Sequence, residues 1–146
     1  MVVSGRDDAR LTELRNELDG DGHVAKTADL ADLVQLDQLA DAVGEVDGVF
    51  YSSGLALIAP FRMITSGHIE RIMGVDFNAA VLLVQRLLKQ RSIRSGGSIV
   101  FNTSVSARLA PAGSAIYSAS KAALDAAARS LALEVARARI RVNTVH

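Results

Sequence analysis

Five short apolar runs alternate with amphipathic stretches along this chain, and that alternation leaves few folds open. Residues 1–4 read as a strand ending at Gly5, and 23–28, 48–51, 99–101 and 140–146 read as four more. Between the first two, Leu11, Leu14 and Leu18 mark a helix stopped by the Gly20/Gly22 turn. Leu33, Leu36, Leu39, Ala40 and Val43 mark a second helix, closed by Gly44. A long third begins at Thr65 or Ser66, carries Ile69, Ile72, Met73, Ala80, Leu83, Val84 and Leu87 on one broad stripe, and ends near Arg91 and Ser92. Ser114 stands where an N-cap would, ahead of an alanine-rich helix. Strands that alternate with helices in this way need crossover connections, so the pattern predicts an α/β fold with a parallel sheet.

Composition narrows the function classes. With 146 residues, 49% hydrophobic and 22% charged, the chain is long enough for one ordinary domain and its core. Sixteen basic residues balance sixteen acidic ones, so no basic field argues for nucleic acid or an anionic membrane. The absence of cysteine excludes disulfides, thiolate metal sites and a cysteine nucleophile. No apolar run approaches the ~18 residues of a membrane span, and the N-terminus lacks a signal-peptide apolar region. A soluble, cytoplasmic protein is the expectation. His23, His68 and His146 have no carboxylate or second histidine spaced to join them, and are expected to be exposed rather than ligands or bases.

The chemistry lies in residues 98–133. A strand after Gly96 and Gly97 ends in the hydroxyls of Thr103 and Ser104, and a small-residue loop with Pro111 and Gly113 leads into the alanine-rich helix. There Tyr117 and Lys121 are i and i+4, so both project from one face, which Leu124, Leu131 and Val135 continue into the core. A free phenol titrates near ~10, too high to exchange protons usefully at neutral pH, and lowering that by about three pH units takes about 4 kcal/mol. A fixed ammonium nearby supplies part of this, and a bound cationic cofactor more. Ser104, at the carboxyl end of its strand, is placed to donate to the oxygen on which charge changes. The set suits proton transfer at a carbonyl or alcohol oxygen and contains no activated nucleophile. A tyrosine and a lysine four apart are commonplace taken alone. Strand, terminal serine, tyrosine thirteen residues on and then lysine is a more specific combination.

The run Ser104…Tyr117-Ser-Ala-Ser-Lys121-Ala-Ala-Leu resembles the catalytic segment of the short-chain dehydrogenase/reductase family. The resemblance implies a Rossmann-like doubly wound parallel sheet, NAD(P)(H), and hydride transfer between nicotinamide and a small-molecule carbonyl or alcohol substrate. It implies Tyr117 as general acid/base, Ser104 as donor to the substrate oxygen, and Lys121 as the group that tunes Tyr117 and holds the nicotinamide ribose. Gly5 stands where NAD-preferring relatives carry an acid, and Arg6 follows, which favours NADP(H) over NAD(H). Asp29 and Leu30 resemble the Asp-plus-apolar pair beside the adenine, although Asp29 also suits a helix cap. Residues 47–54 line up with the strand that ends in Asn-Asn-Ala-Gly in relatives. Only Gly54 of that motif is retained, so close approach of a cofactor there is expected while the asparagine hydrogen bonds are not.

Two departures qualify the resemblance. The position of the family's relay asparagine on the long helix falls on Asp76, with Asn78 two residues later. Two residues are about 200° around a helix, so Asn78 replaces Asp76 only if the helix is distorted or the register shifts. An ionised Asp76 would offset part of the effect of Lys121 on Tyr117, weakening or altering catalysis. The family's Gly-rich first strand and loop would precede Val2, and its substrate-covering segment and last strand would follow His146. The chain is therefore expected to be an incomplete, single partial NAD(P)-binding Rossmann-like domain over 1–146, missing the first and last strands. In the order 3-2-1-4-5-6 that omission leaves two sub-sheets. The fragment then pairs its first strand directly with its third, borrows a strand from another copy, or is marginally stable. The long and alanine-rich helices form the usual subunit interface in relatives, which implies a homo-oligomer. The alternative is a non-catalytic remnant that acts, if at all, through self-association or partner binding.

Overall fold

Every strand pairing that forms is parallel, and each joins consecutive strands through a helical crossover. The computed structural model describes residues 1–146 as two units, Met1–Gly44 and Glu45–His146. In the first, β1 (Val2–Gly5) runs beside β2 (Val24–Thr27), with Val2 opposite Val24 and Gly5 opposite Thr27. Their crossover is α1 (Asp8–Glu17), whose N-cap Asp7 accepts from Arg10 N at 3.1 Å. The leucine stripe of α1 buries only Leu11, whereas Leu14 is 43% exposed. A two-stranded sheet covers one turn of that stripe and no more. After β2, α2 (Leu33–Val43) is capped by Asp32, which accepts from the amides of Val34 and Gln35. Leu36, Leu39 and Ala40 are its buried face, and Gly44 ends it at φ 66°.

In the second unit the sheet order is β3 (Val46–Tyr51), β4 (Ile93–Asn102), β5 (Arg141–Val145). The sequence puts the start of β4 after the two glycines, because glycine pairs usually end elements. The strand instead begins at Ile93 and passes through Gly96 (φ 86°) and Gly97 as a register shift, with Val46 opposite Ile93 but Gly48 opposite Ser98. A Cβ on Gly97 would lie 2.8 Å from Asp47 O and 2.9 Å from Arg94 O, both backbone atoms that cannot turn aside. Gly97→Ala is therefore expected to cost about 1–3 kcal/mol in denaturant unfolding; an unchanged midpoint would refute this account of the bulge.

The expected long helix is three pieces: α3 (Ser66–Met73), a π turn over Gly74–Ala79, and α4 (Ala80–Lys89). Thr65 and His68 form a capping box at its start, with Thr65 Oγ1 accepting from His68 N and His68 Nδ1 accepting from Thr65 N. His68 is thus a structural cap. Past β4 come the short α5 (Ser106–Leu109) and α6 (Ala115–Glu134). Ser114 holds the N-cap position of α6 without capping it. Its hydroxyl donates to Pro111 O at 2.6 Å and meets Ser118 Oγ at 2.8 Å, so the loop takes the bond that the helix amides would have had. Ile72, Ala79, Val84, Leu87, Ile99, Phe101, Leu124 and Ala128 are the buried apolar core of this unit.

The two expected sub-sheets are present and separate, and β1 does not pair with β3. Of the three outcomes expected for the gap, direct pairing of the first strand with the third is the one that does not form, and each ladder present joins consecutive strands. The outer edge of β3 is left unpaired, and Phe50 on it is 63% exposed.

Candidate active site

The carboxyl ends of β3 and β4, the π turn and the first two turns of α6 bring their polar groups to one place. Ser-Ala-Ser between Tyr117 and Lys121 keeps that face of α6 slim, and Lys121 is only 2% exposed there. Its Nζ donates to Asn102 O at 3.1 Å and lies 3.7 Å from Asp76 Oδ2. It also sits 5.7 Å from the centre of the Tyr117 ring, so the i, i+4 pair shares a face as its spacing predicts. A buried ammonium is tolerated only where charge and hydrogen bonds compensate it, and the carbonyl and the carboxylate do so here.

Asp76 is fully buried, at 0% exposure. Oδ1 accepts from Leu55 N at 2.6 Å, and Oδ2 accepts from Ser120 Oγ at 3.1 Å. Ser120 Oγ also lies 2.8 Å from Tyr117 O, tying the carboxylate to the turn that carries the phenol. The helix is distorted at this point, yet Asn78 remains exposed. Asp76, not Asn78, is the residue brought to Lys121. Gly54 completes the wall, since a Cβ there would lie 2.9 Å from Lys121 Nζ and 3.4 Å from Asp76 Oδ1. The close approach expected at Gly54 is thus made by the lysine and carboxylate of the chain itself.

Ser104 lies two residues beyond β4, half-buried, and its Oγ accepts from Ser106 N at 3.1 Å. That bond occupies a lone pair and leaves the hydroxyl proton free to donate. Tyr51, which ends β3, donates to Val75 O at 2.6 Å. Burial, and then the negative charge of Asp76, push its phenol well above the ordinary tyrosine value.

The remaining sequence candidates belong to the first unit. Arg6 is exposed and lines a cavity of about 490 Å³ with Gly5, Asp7, Arg10, Leu11 and Glu13 among its walls. Asp29 accepts from Ala31 N at 3.0 Å and, with Leu30, is half-buried in the turn before α2, which Asp32 rather than Asp29 caps. Sequence reasoning missed Arg10, Tyr51, Ser120 and the carbonyl of Asn102. Only Arg10, four residues after Arg6, had a spacing that could have flagged it; the other three depend on contacts between elements distant in sequence.

Comparison with known proteins follows the same line. The short chain dehydrogenase family model matches residues 1–146. The L-xylulose reductase of Mesocricetus auratus is 32% identical over 148 residues, taking in 100% of this chain and 59% of that protein. A blue fluorescent protein from a metagenomic library, solved in complex with NADPH, matches with a TM-score of 0.90 at 30% identity, over 99% of this chain and 62% of its own. A short chain dehydrogenase from Burkholderia cenocepacia, solved in complex with NADP, matches with a TM-score of 0.91 at 27% identity, over 99% and 62%. The chain spans about three-fifths of the length of these relatives.

Proposed function

We propose, for a chain that belongs to the short-chain dehydrogenase family and has its Rossmann-like, incomplete α/β fold, that it acts as an NAD(P)(H)-dependent oxidoreductase on a small carbonyl or alcohol. The observation that carries this reading is the buried Lys121 ammonium beside the Tyr117 ring, held by Asn102 O and Asp76. Tyr117 is the general acid/base: its phenol gives a proton to the carbonyl oxygen in reduction and takes it back in oxidation. Ser104, with its proton free, donates to the same oxygen and stabilises the charge that develops there. Lys121 provides fixed positive charge next to the phenol. Asp76 belongs to the same machinery as the counter-ion that keeps this ammonium in a buried place, and it offsets part of its field.

The residues present fit a nicotinamide dinucleotide. Lys121 directs one N–H to Asn102 O and has a further N–H for ribose hydroxyls, and Gly54, whose missing Cβ leaves the space that Lys121 Nζ occupies, lets that ammonium stand beside the end of β3. When bound, the nicotinamide supplies or accepts the hydride. We assign Gly54, Tyr117 and Lys121 to its nicotinamide half and Arg6, Asp29 and Leu30 to its adenosine half, within one partial NAD(P)-binding domain over 1–146. NADP(H) is favoured over NAD(H), because Arg6 and Arg10 offer two cations at one cavity to a 2′-phosphate. Homo-oligomerisation through the long helix and α6, where Ile69 and Leu133 are exposed, and a cytoplasmic setting belong to the same proposal.

Titration of the chain with NADPH and NADH, followed by nucleotide fluorescence, tests it. Saturable binding is expected, tighter for NADPH, with the preference falling about tenfold in Arg6→Ala, the loss of one charge-assisted phosphate contact. A chain that binds neither nucleotide and oxidises no NADPH in the presence of a reactive dicarbonyl such as 2,3-butanedione would overturn the reading.

A further inference from the structure

Tyr51 is buried to 3% at the end of β3, on a strand whose other large side chain, Phe50, faces out. Its hydroxyl donates at 2.6 Å to Val75 O, the residue directly before Asp76, inside the π turn Gly74–Ala79. A π turn is a rare local widening, met mostly as a single turn inside an α-helix, and here it lies between α3 and α4. A buried hydroxyl on that carbonyl fixes the peptide plane between Val75 and Asp76, and with it the direction in which the Asp76 side chain leaves the backbone. Three separations depend on that direction: 2.6 Å to Leu55 N, 3.1 Å to Ser120 Oγ and 3.7 Å to Lys121 Nζ.

We propose that Tyr51 is a positioning residue of the reductase site, whose hydroxyl sets the wide turn at Val75 so that the Asp76 carboxylate meets Lys121. The consequence for activity rests on the function proposed above; the coupling from Tyr51 to Asp76 stands on the geometry alone. A packing role would be met by the ring, and Tyr51→Phe keeps the ring. A positioning role resides in the O–H, which that substitution removes.

The Leu55 amide proton is the reporter, because a 2.6 Å bond to a carboxylate draws it far downfield and slows its exchange. In the ¹⁵N-labelled chain, Tyr51→Phe is expected to move this signal upfield and to raise its exchange rate about tenfold, the loss of roughly one hydrogen bond's worth of protection. Asp76→Asn is expected to move it too. The Thr103 amide, bonded to Val145 O at 2.8 Å, should stay where it is in both. A Leu55 signal that responds to Asp76→Asn and ignores Tyr51→Phe would overturn the positioning role, and one that ignores both would overturn the bond itself. Should Tyr51→Phe fail to fold, ¹³Cζ-tyrosine labelling of the unmutated chain decides. With two tyrosines in the sequence, one is expected to show a slowly exchanging hydroxyl proton, and its absence would sink the proposal. NADPH titration of Tyr51→Phe adds the functional arm, with about three- to tenfold weaker binding expected. If the unmutated chain binds no NADPH, the function falls while the Leu55 signal still decides the coupling.

Discussion

Tyr117→Phe is expected to lower the rate of NADPH-dependent carbonyl reduction by about 10²–10⁴-fold, the usual contribution of one positioned general acid. The ring keeps its place beside Lys121, and its neighbours Ser118 and Ser120 are bonded to other groups, so little else should change. NADPH affinity should stay within a few-fold and the unfolding midpoint should hold. That combination separates proton transfer from scaffolding. A variant that binds NADPH and still turns over at the unmutated rate would remove Tyr117 from the mechanism. Ser104→Ala should be milder than Tyr117→Phe, since it removes one donor and no transferred proton.

The largest effect on stability is expected at the Lys121–Asp76 pair. Both side chains are almost wholly buried, at 3% and 0% exposure, so neither charge can turn to water when its partner is removed. Lys121→Met leaves the carboxylate with Leu55 N and Ser120 Oγ alone, and Asp76→Asn leaves the ammonium with Asn102 O. Breaking a buried pair from one side costs about 3–5 kcal/mol, and each single variant should lose an amount of that order. The double variant should lose less than the sum of the two, with a coupling of about 1–3 kcal/mol in a double-mutant cycle. Additive losses would show that the two charges do not sense each other, and would remove Asp76 from the site. Asp76→Asn carries a second readout. It keeps the size of the side chain while relieving Lys121 of its counter-ion. With that restraint on the lysine removed, turnover per folded molecule is expected to rise even as stability falls.

The legibility of this chain divides by distance along it. The crossover pattern and the parallel pairing were readable because each depends on residues within one strand–helix–strand unit: Leu36, Leu39 and Ala40 at helical spacing, and Ile99 and Phe101 on one face of a strand. The shared face of Tyr117 and Lys121 was readable for the same reason, since four residues on a helix fix a direction without help from elsewhere. Glycine misled where its role was tertiary. Gly97 ends nothing, and its missing Cβ admits the carbonyl of Asp47 from the neighbouring strand. Ser114 misled likewise, because the loop carbonyl of Pro111 outcompetes the helix amides for its hydroxyl.

What the sequence by itself determined is therefore the order of the elements, the direction in which strands pair, and the lysine and phenol on one side of a helix. These follow from local periodicity and chirality, which a chain cannot escape. Only the tertiary structure decided that the π turn presents Asp76 rather than Asn78 to Lys121, and that Tyr51 bonds the carbonyl just before it. The reason is that a buried charge is settled by whatever surrounds it in three dimensions. The groups that surround Lys121 come from positions 54, 76, 102 and 117, which no window on the sequence holds together.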